Sequence, residues 1–143
     1  MCGRYALWSD RNQILKHFGL ENAPLFSHSY NIAPTHPIPV VRLHQDKREL
    51  VNCHWGLVPH WARDAKIHPI NARAESLNEK PFFRDSFRRR RCLIPANGFY
   101  EWNSENFAKL NLIDLNAVFF SFVVHIQSAN HWNTQFLKLE AKV

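Results

Sequence analysis

The sequence predicts an α+β domain in which antiparallel β-sheet dominates. Three observations carry this expectation. Most apolar stretches are short, alternate or run continuously, and end in turn residues, as strands do. Only two segments show helical spacing. The length of 143 residues, with 45% hydrophobic and 13% aromatic content, suffices for one buried core. No repeat or low-complexity linker divides the chain, so residues 1–143 read as a single domain.

In order along the chain, Ser9–Gly19 reads as a short helix. Ser9 can cap it, Ile14, Leu15 and Phe18 share one face, and Gly19 suits a left-handed stop. Pro37–Leu43 and Glu49–Trp55 read as a strand pair around the polar turn Gln45-Asp46-Lys47-Arg48. Glu75–Arg89 has helical spacing interrupted by Pro81, with Phe82, Phe83 and Phe87 as its apolar set. Arg91–Pro95 and Gly98–Trp102 are expected to be extended, and Leu110–Leu115, Ala117–Ile126 and Thr134–Leu139 to add further strands.

Composition excludes several classes. No apolar run approaches the ~20 residues that span a bilayer, and Arg4, Asp10 and Arg11 break any early signal-like stretch. A soluble cytoplasmic protein is expected, nucleoid-associated if bacterial, with no membrane partner. The three cysteines Cys2, Cys53 and Cys92 are an odd number without paired spacing, which fits a reducing compartment. There is no C-x-x-C and no H-x-x-x-H, and Cys53 and His54, adjacent on a strand, would point to opposite faces. No metal and no cofactor are expected. Residues 1–102 carry 15 Lys/Arg against 9 Asp/Glu (+6), and residues 103–143 carry 3 against 3. The whole basic excess thus lies in the first part of the chain, where it attracts phosphates or merely solubilises the surface.

Cys2 stands behind the initiator methionine in Met1-Cys2-Gly3-Arg4. Removal of Met1 would give one residue both a free α-amine (pKa about 7.7–8.0) and a thiol (about 8.5), two nucleophiles usable near neutral pH. Such a 1,2-aminothiol attacks an aldehyde through nitrogen and can close a thiazolidine through sulfur. Downstream follow Ser29-Tyr-Asn-Ile-Ala-Pro34, Trp55-Gly-Leu-Val-Pro-His-Trp61, Pro69-Ile-Asn-Ala-Arg-Ala-Glu75 and Arg91-Cys-Leu-Ile-Pro-Ala-Asn-Gly-Phe-Tyr-Glu-Trp102. In this order, behind the MCGR start, residues 1–102 resemble the SRAP family (SOS response-associated peptidase, or abasic-site processing proteins), which shield abasic sites in single-stranded DNA.

The resemblance implies a curved, barrel-like sheet with short flanking helices, and an enzyme that links Cys2 covalently to the abasic aldehyde, with possible lyase and self-processing peptidase activity. It matches Glu101 to the catalytic glutamate. Burial in the apolar Gly98–Trp102 run would raise its pKa for proton transfer, although pairing with an arginine is an ordinary use of such a carboxylate. Asn71 matches the residue that donates to the sugar oxygen, although an Asn ahead of a helix is often only a cap. Arg4 and Arg73 match phosphate-contacting arginines. Pro34 and Trp61 match an apolar wedge at a strand–duplex junction, and Trp102 is a further base-contact candidate. Arg88–Arg91 suits a helix C-terminus at least as well as DNA and stays outside the site.

Beyond Trp102 the resemblance weakens. The family's downstream H-x-R-x-P histidine has no match, and neither His125 nor His131 takes its role. The expectation is a fold incomplete at its C-terminus, whose open sheet edges favour self-association. Two other functions stay open. One is an N-terminal-nucleophile amidotransferase or cysteine peptidase, for which Asn97-Gly98 is the only candidate oxyanion element. The other is a non-catalytic single-stranded DNA-binding remnant.

Overall fold

Among the described residues, strand alternation and turn chemistry build two four-stranded antiparallel sheets with two short helices. The computed structural model describes residues 3–59, 61, 68–102, 110–114 and 120–123, with only the backbone at 74, 101, 102 and the last two segments. In chain order the elements are β1 (Arg4–Leu7), α1 (Arg11–Phe18), β2 (Ser29–Ile32), β3 (Pro37–His44), β4 (Lys47–His54), a 3-10 turn (Ala74–Ser76), α2 (Pro81–Arg89), β5 (Arg91–Ile94), β6 (Gly98–Trp102), β7 (Leu110–Asp114) and β8 (Phe120–Val123). One sheet has the order β2-β1-β6-β7 and the other β4-β3-β5-β8. The expected α+β class with curved antiparallel sheet is what the chain adopts, as two open sheets rather than one closed ring among the described residues. Both sheets feed one core. Tyr5, Leu7 and Ile32 of the first meet Ile38, Val40, Cys53, Cys92 and Ile94 of the second, with Ile14 and Phe18 of α1.

Helix α1 begins one residue later than the sequence suggests. Asp10, not Ser9, is the cap: its carboxylate accepts from Gln13 N at 2.9 Å, and Gln13 Oε1 accepts from Asp10 N at 2.8 Å. That capping box satisfies orphan donors in both directions and outcompetes a lone serine. Gly19 closes the helix at φ 64°, as expected. Arg48 of β4 donates to the Phe18 carbonyl at 3.3 Å, securing the helix end to the second sheet.

The β3–β4 hairpin pairs Pro37 with His54 through to His44 with Lys47. Its turn is only Gln45-Asp46, at φ 48° and 61°. Lys47 and Arg48, read from the sequence as turn, are strand residues. Two left-handed central residues match the strands' twist, and their charged flank sits on an edge strand, where charge discourages pairing with other chains.

Pro81 starts α2 rather than interrupting a longer helix, since its missing N–H costs nothing in the first turn. Phe83 is buried, and Phe82 and Phe87 pack beside it against Leu57 and Leu77 in a smaller second cluster. Strand β6 has the expected bounds, β5 ends at Ile94, and β7 and β8 fall within the expected Leu110–Leu115 and Ala117–Ile126. Thr134–Leu139 lies outside the described residues.

Candidate functional site at the N-terminal strand

Strand β1 lies between β2 and β6. Its register with β6 pairs Arg4 with Tyr100, Tyr5 with Phe99 and Ala6 with Gly98. Continued by one position, that register sets Gly3 against Glu101. Phe99 and Tyr5, directly opposite each other in this ladder, share one face of the sheet. Glu101 and Trp102 are placed as strand positions opposite Asn111 and Leu110 of β7. Cys2 lies outside the described residues.

Tyr5 is buried at 5% exposure, and its hydroxyl finds no hydrogen-bond partner among the described residues. Burial pushes its phenol well above the ordinary range, so it stays protonated. An unpaired buried hydroxyl costs about 1–3 kcal/mol. Tyr5→Phe is therefore expected to leave stability unchanged or raise it by up to that amount. The pH dependence has a definite sign. The folded phenol holds its proton more tightly than the unfolded one, so its contribution is full below about pH 10 and falls above it. Denaturant titrations from pH 7 to 11 should show that alkaline loss shrink in Tyr5→Phe.

The Tyr5 ring meets Trp55 at a centroid distance of 6.0 Å. Trp55, quoted in a motif but given no role from sequence, organises the neighbouring loops. Its indole N–H donates to the Ile70 carbonyl at 2.9 Å, and Leu57 N donates to Pro69 at 3.0 Å, which pins the segment carrying Asn71. Its own carbonyl accepts from Thr35 N at 2.9 Å, which pins the turn carrying Pro34. Thr35 pays backbone strain for that position at φ 71°. Gly56, at φ 146°, takes the chain past His68 in a conformation that favours glycine. Pro34 and Asn71, distant in sequence, are thus both tied to Trp55.

Asn71 is half-buried in the loop ahead of the 3-10 turn, and Arg73, two residues on, is exposed. The Arg73 carbonyl accepts from Ser76 N at 3.2 Å. Arg4 is exposed and donates to Asn31 Oδ1 at 3.3 Å. Trp61 is 55% exposed and rests edge-on against Phe82 of α2 at 5.8 Å. It is therefore anchored on the second cluster rather than on Trp55.

The remaining cysteines are poor rivals for chemistry. Cys53 and Cys92 are buried and carry no disulfide. Burial and the neighbouring Cys53 push the Cys92 thiol well above its ordinary range, with Arg42 opposing. Among the described residues no group of three His, Cys, Asp or Glu side chains is placed to hold a metal ion, and no helix is long and apolar enough to cross a membrane.

From sequence, Asn97 offers only half of an Asn-Gly oxyanion element. The structure uses its side chain otherwise. Oδ1 accepts from Trp8 N and Ser9 N, both at 2.9 Å, Nδ2 donates to Ser9 Oγ at 2.8 Å, and its backbone N donates to Ala6 O at 2.9 Å. It clamps the end of β1 to the β5–β6 connection, and its amide is committed there.

The family model described as SOS response associated peptidase (SRAP) matches residues 1–115. The abasic site processing protein YoqW of Bacillus subtilis is 42% identical over 107 residues, covering 71% of this chain and 48% of that protein. The abasic site processing protein HMCES of Mus musculus is 35% identical over 88 residues, covering 52% of this chain and 25% of that protein. The chain spans about half the length of the bacterial relative. A phage-related protein of Bordetella bronchiseptica superposes with a TM-score of 0.77 over 95% of this chain and 68% of that one, at 21% identity, a likeness of fold. With more than half of its length under the family model, and with the MCGR start and four motifs in order, the chain belongs to the SRAP family.

Proposed function

We propose that this chain processes abasic sites in single-stranded DNA by forming a covalent crosslink through Cys2. The observation that carries the reading is the family-model match over residues 1–115, which hold every candidate site residue, together with relatives named as abasic site processing proteins. Met1 is removed, by self-processing or otherwise, and the α-amine of Cys2 attacks the aldehyde carbon of the opened sugar. The carbinolamine loses water to give an imine. The thiol sulfur then adds to the imine carbon while its proton passes to nitrogen, which closes a thiazolidine with no change of oxidation state. Glu101 moves the protons, since Cys2 is bonded to Gly3 and the β1–β6 register sets Gly3 against Glu101. Asn71 steadies the sugar oxygen, Arg4 and Arg73 hold flanking phosphates, and Pro34, Trp61 and Trp102 contact bases.

The test is incubation with a single strand bearing one abasic site, followed by a denaturing gel. A band that resists heat and denaturant supports the reading. Salt-sensitive binding with no such band leaves only a binding module.

Arg4 and Arg73 are both exposed residues, accessible to a phosphate from solvent. Arg4→Ala and Arg73→Ala are each expected to weaken binding about equally across all sequences. Each should lower the slope of log affinity against log salt by roughly 0.7, one released counterion on a single strand. Titrations at several salt concentrations read both effects. A slope unchanged in both variants would remove these arginines from the DNA path.

A further inference from the structure

Outside the residues assigned above, two aromatic rings form a stack on the first sheet. Trp8, directly after β1, and Tyr30 of β2 lie with centroids 5.7 Å apart and planes 19° apart. The stack is held from three sides. Trp8 N donates to Asn97 at 2.9 Å, and the Tyr30 carbonyl accepts from the Tyr100 hydroxyl at 2.7 Å. Asn31, next to Tyr30, accepts from Arg4 at 3.3 Å. Trp8 is half-buried beneath the stack, while Tyr30 is 61% exposed.

We infer that the Trp8–Tyr30 stack is a base-stacking subsite, on which an unpaired nucleobase of the bound single strand extends the pile over Tyr30. This inference rests on the proposed single-strand binding. Three features select a base. A rigid, near-parallel ring pair offers a third planar π system a preformed face, so little ordering entropy is lost on contact. The patch is far smaller than the roughly 800 Å² that each partner contributes to a stable protein interface, yet it suits one base. Its charge is also right for a nucleotide. Arg4 pairs across the ladder with Tyr100 and reaches the residue next to Tyr30, so a cation for the backbone stands beside the ring that takes the base.

The experiment measures equilibrium binding of the full chain to a labelled single strand carrying one fixed tetrahydrofuran, an abasic-site analogue that sets the register. A second tetrahydrofuran spacer then replaces each remaining base in turn. Tyr30→Ala should weaken binding roughly 5- to 100-fold, the range of one lost base–aromatic stack, while Tyr30→Trp should keep or improve it. At one spacer position the wild-type chain should lose as much affinity as Tyr30→Ala does, and the variant should lose nothing further there. Thermal melts establish that each variant is folded. If Tyr30→Ala unfolds, the Tyr30→Trp chain carries the spacer scan, and a flat scan overturns the inference. Binding by folded Tyr30→Ala within twofold of wild type also overturns it, as does a loss that no spacer position reproduces. Adduct formation by the unaltered chain on an abasic strand is scored separately. Its absence, with the spacer effect intact, removes the crosslinking chemistry and leaves the subsite standing.

Discussion

Cys2→Ala is expected to abolish the covalent adduct with abasic single-stranded DNA, while Cys53→Ala and Cys92→Ala form it. The contrast follows from chemistry and burial together. Only an N-terminal cysteine joins a free amine to a thiol, whereas Cys92 is buried and its thiol is held protonated. Cys2→Ser separates the two nucleophiles. It keeps the amine and should give an imine that borohydride traps, but no stable thiazolidine. Intact mass should show loss of Met1 from the wild-type chain. An adduct that persists in Cys2→Ala would remove Cys2 from the mechanism.

Asn97→Ala is expected to cost about 2–4 kcal/mol of folding stability. The side chain satisfies two backbone N–H groups at 2.9 Å and also binds Ser9 Oγ. Truncation would leave both donors without their acceptor in a part-buried corner, at roughly 1–3 kcal/mol each when fully buried. Asn97→Asp is the informative control. It keeps an oxygen for both N–H groups and loses only the donor to Ser9, so it should retain most of the stability. Urea denaturation of the three proteins checks this. A loss under 0.5 kcal/mol in Asn97→Ala would show that water replaces the clamp at no cost.

These residues also show what was legible in the sequence. The fold class and the bounds of β6 followed from alternation between turn residues, because strand periodicity is a local property. The β3–β4 turn was read too long, since a two-residue turn with two left-handed positions is usually announced by Asn-Gly and here is Gln45-Asp46. The helix cap was misplaced by one residue because Ser9 and Asp10 are both good caps. The capping box with Gln13 decides for Asp10, and Asn97, 88 residues away, takes up the Ser9 hydroxyl as well. Glu101, Asn71 and the arginines were named through a family pattern rather than through local physics. Trp55, Tyr5 and Tyr30 escaped for the complementary reason: their roles lie in contacts between strands and loops that no window of sequence contains.

The pairing of β1 with β6 joins residues 96 positions apart, from Arg4 to Tyr100, whereas the β3–β4 hairpin closes over two residues. Loop-closure entropy favours the hairpin as an early event and makes the joining of β1 to β6 a late one. During synthesis the N-terminus leaves the ribosome first and can pair with β2 early, but it meets β6 only after nearly a hundred further residues have followed. Under the chemistry proposed above, topology would therefore keep Glu101 away from a processed Cys2 until β6 has joined that sheet.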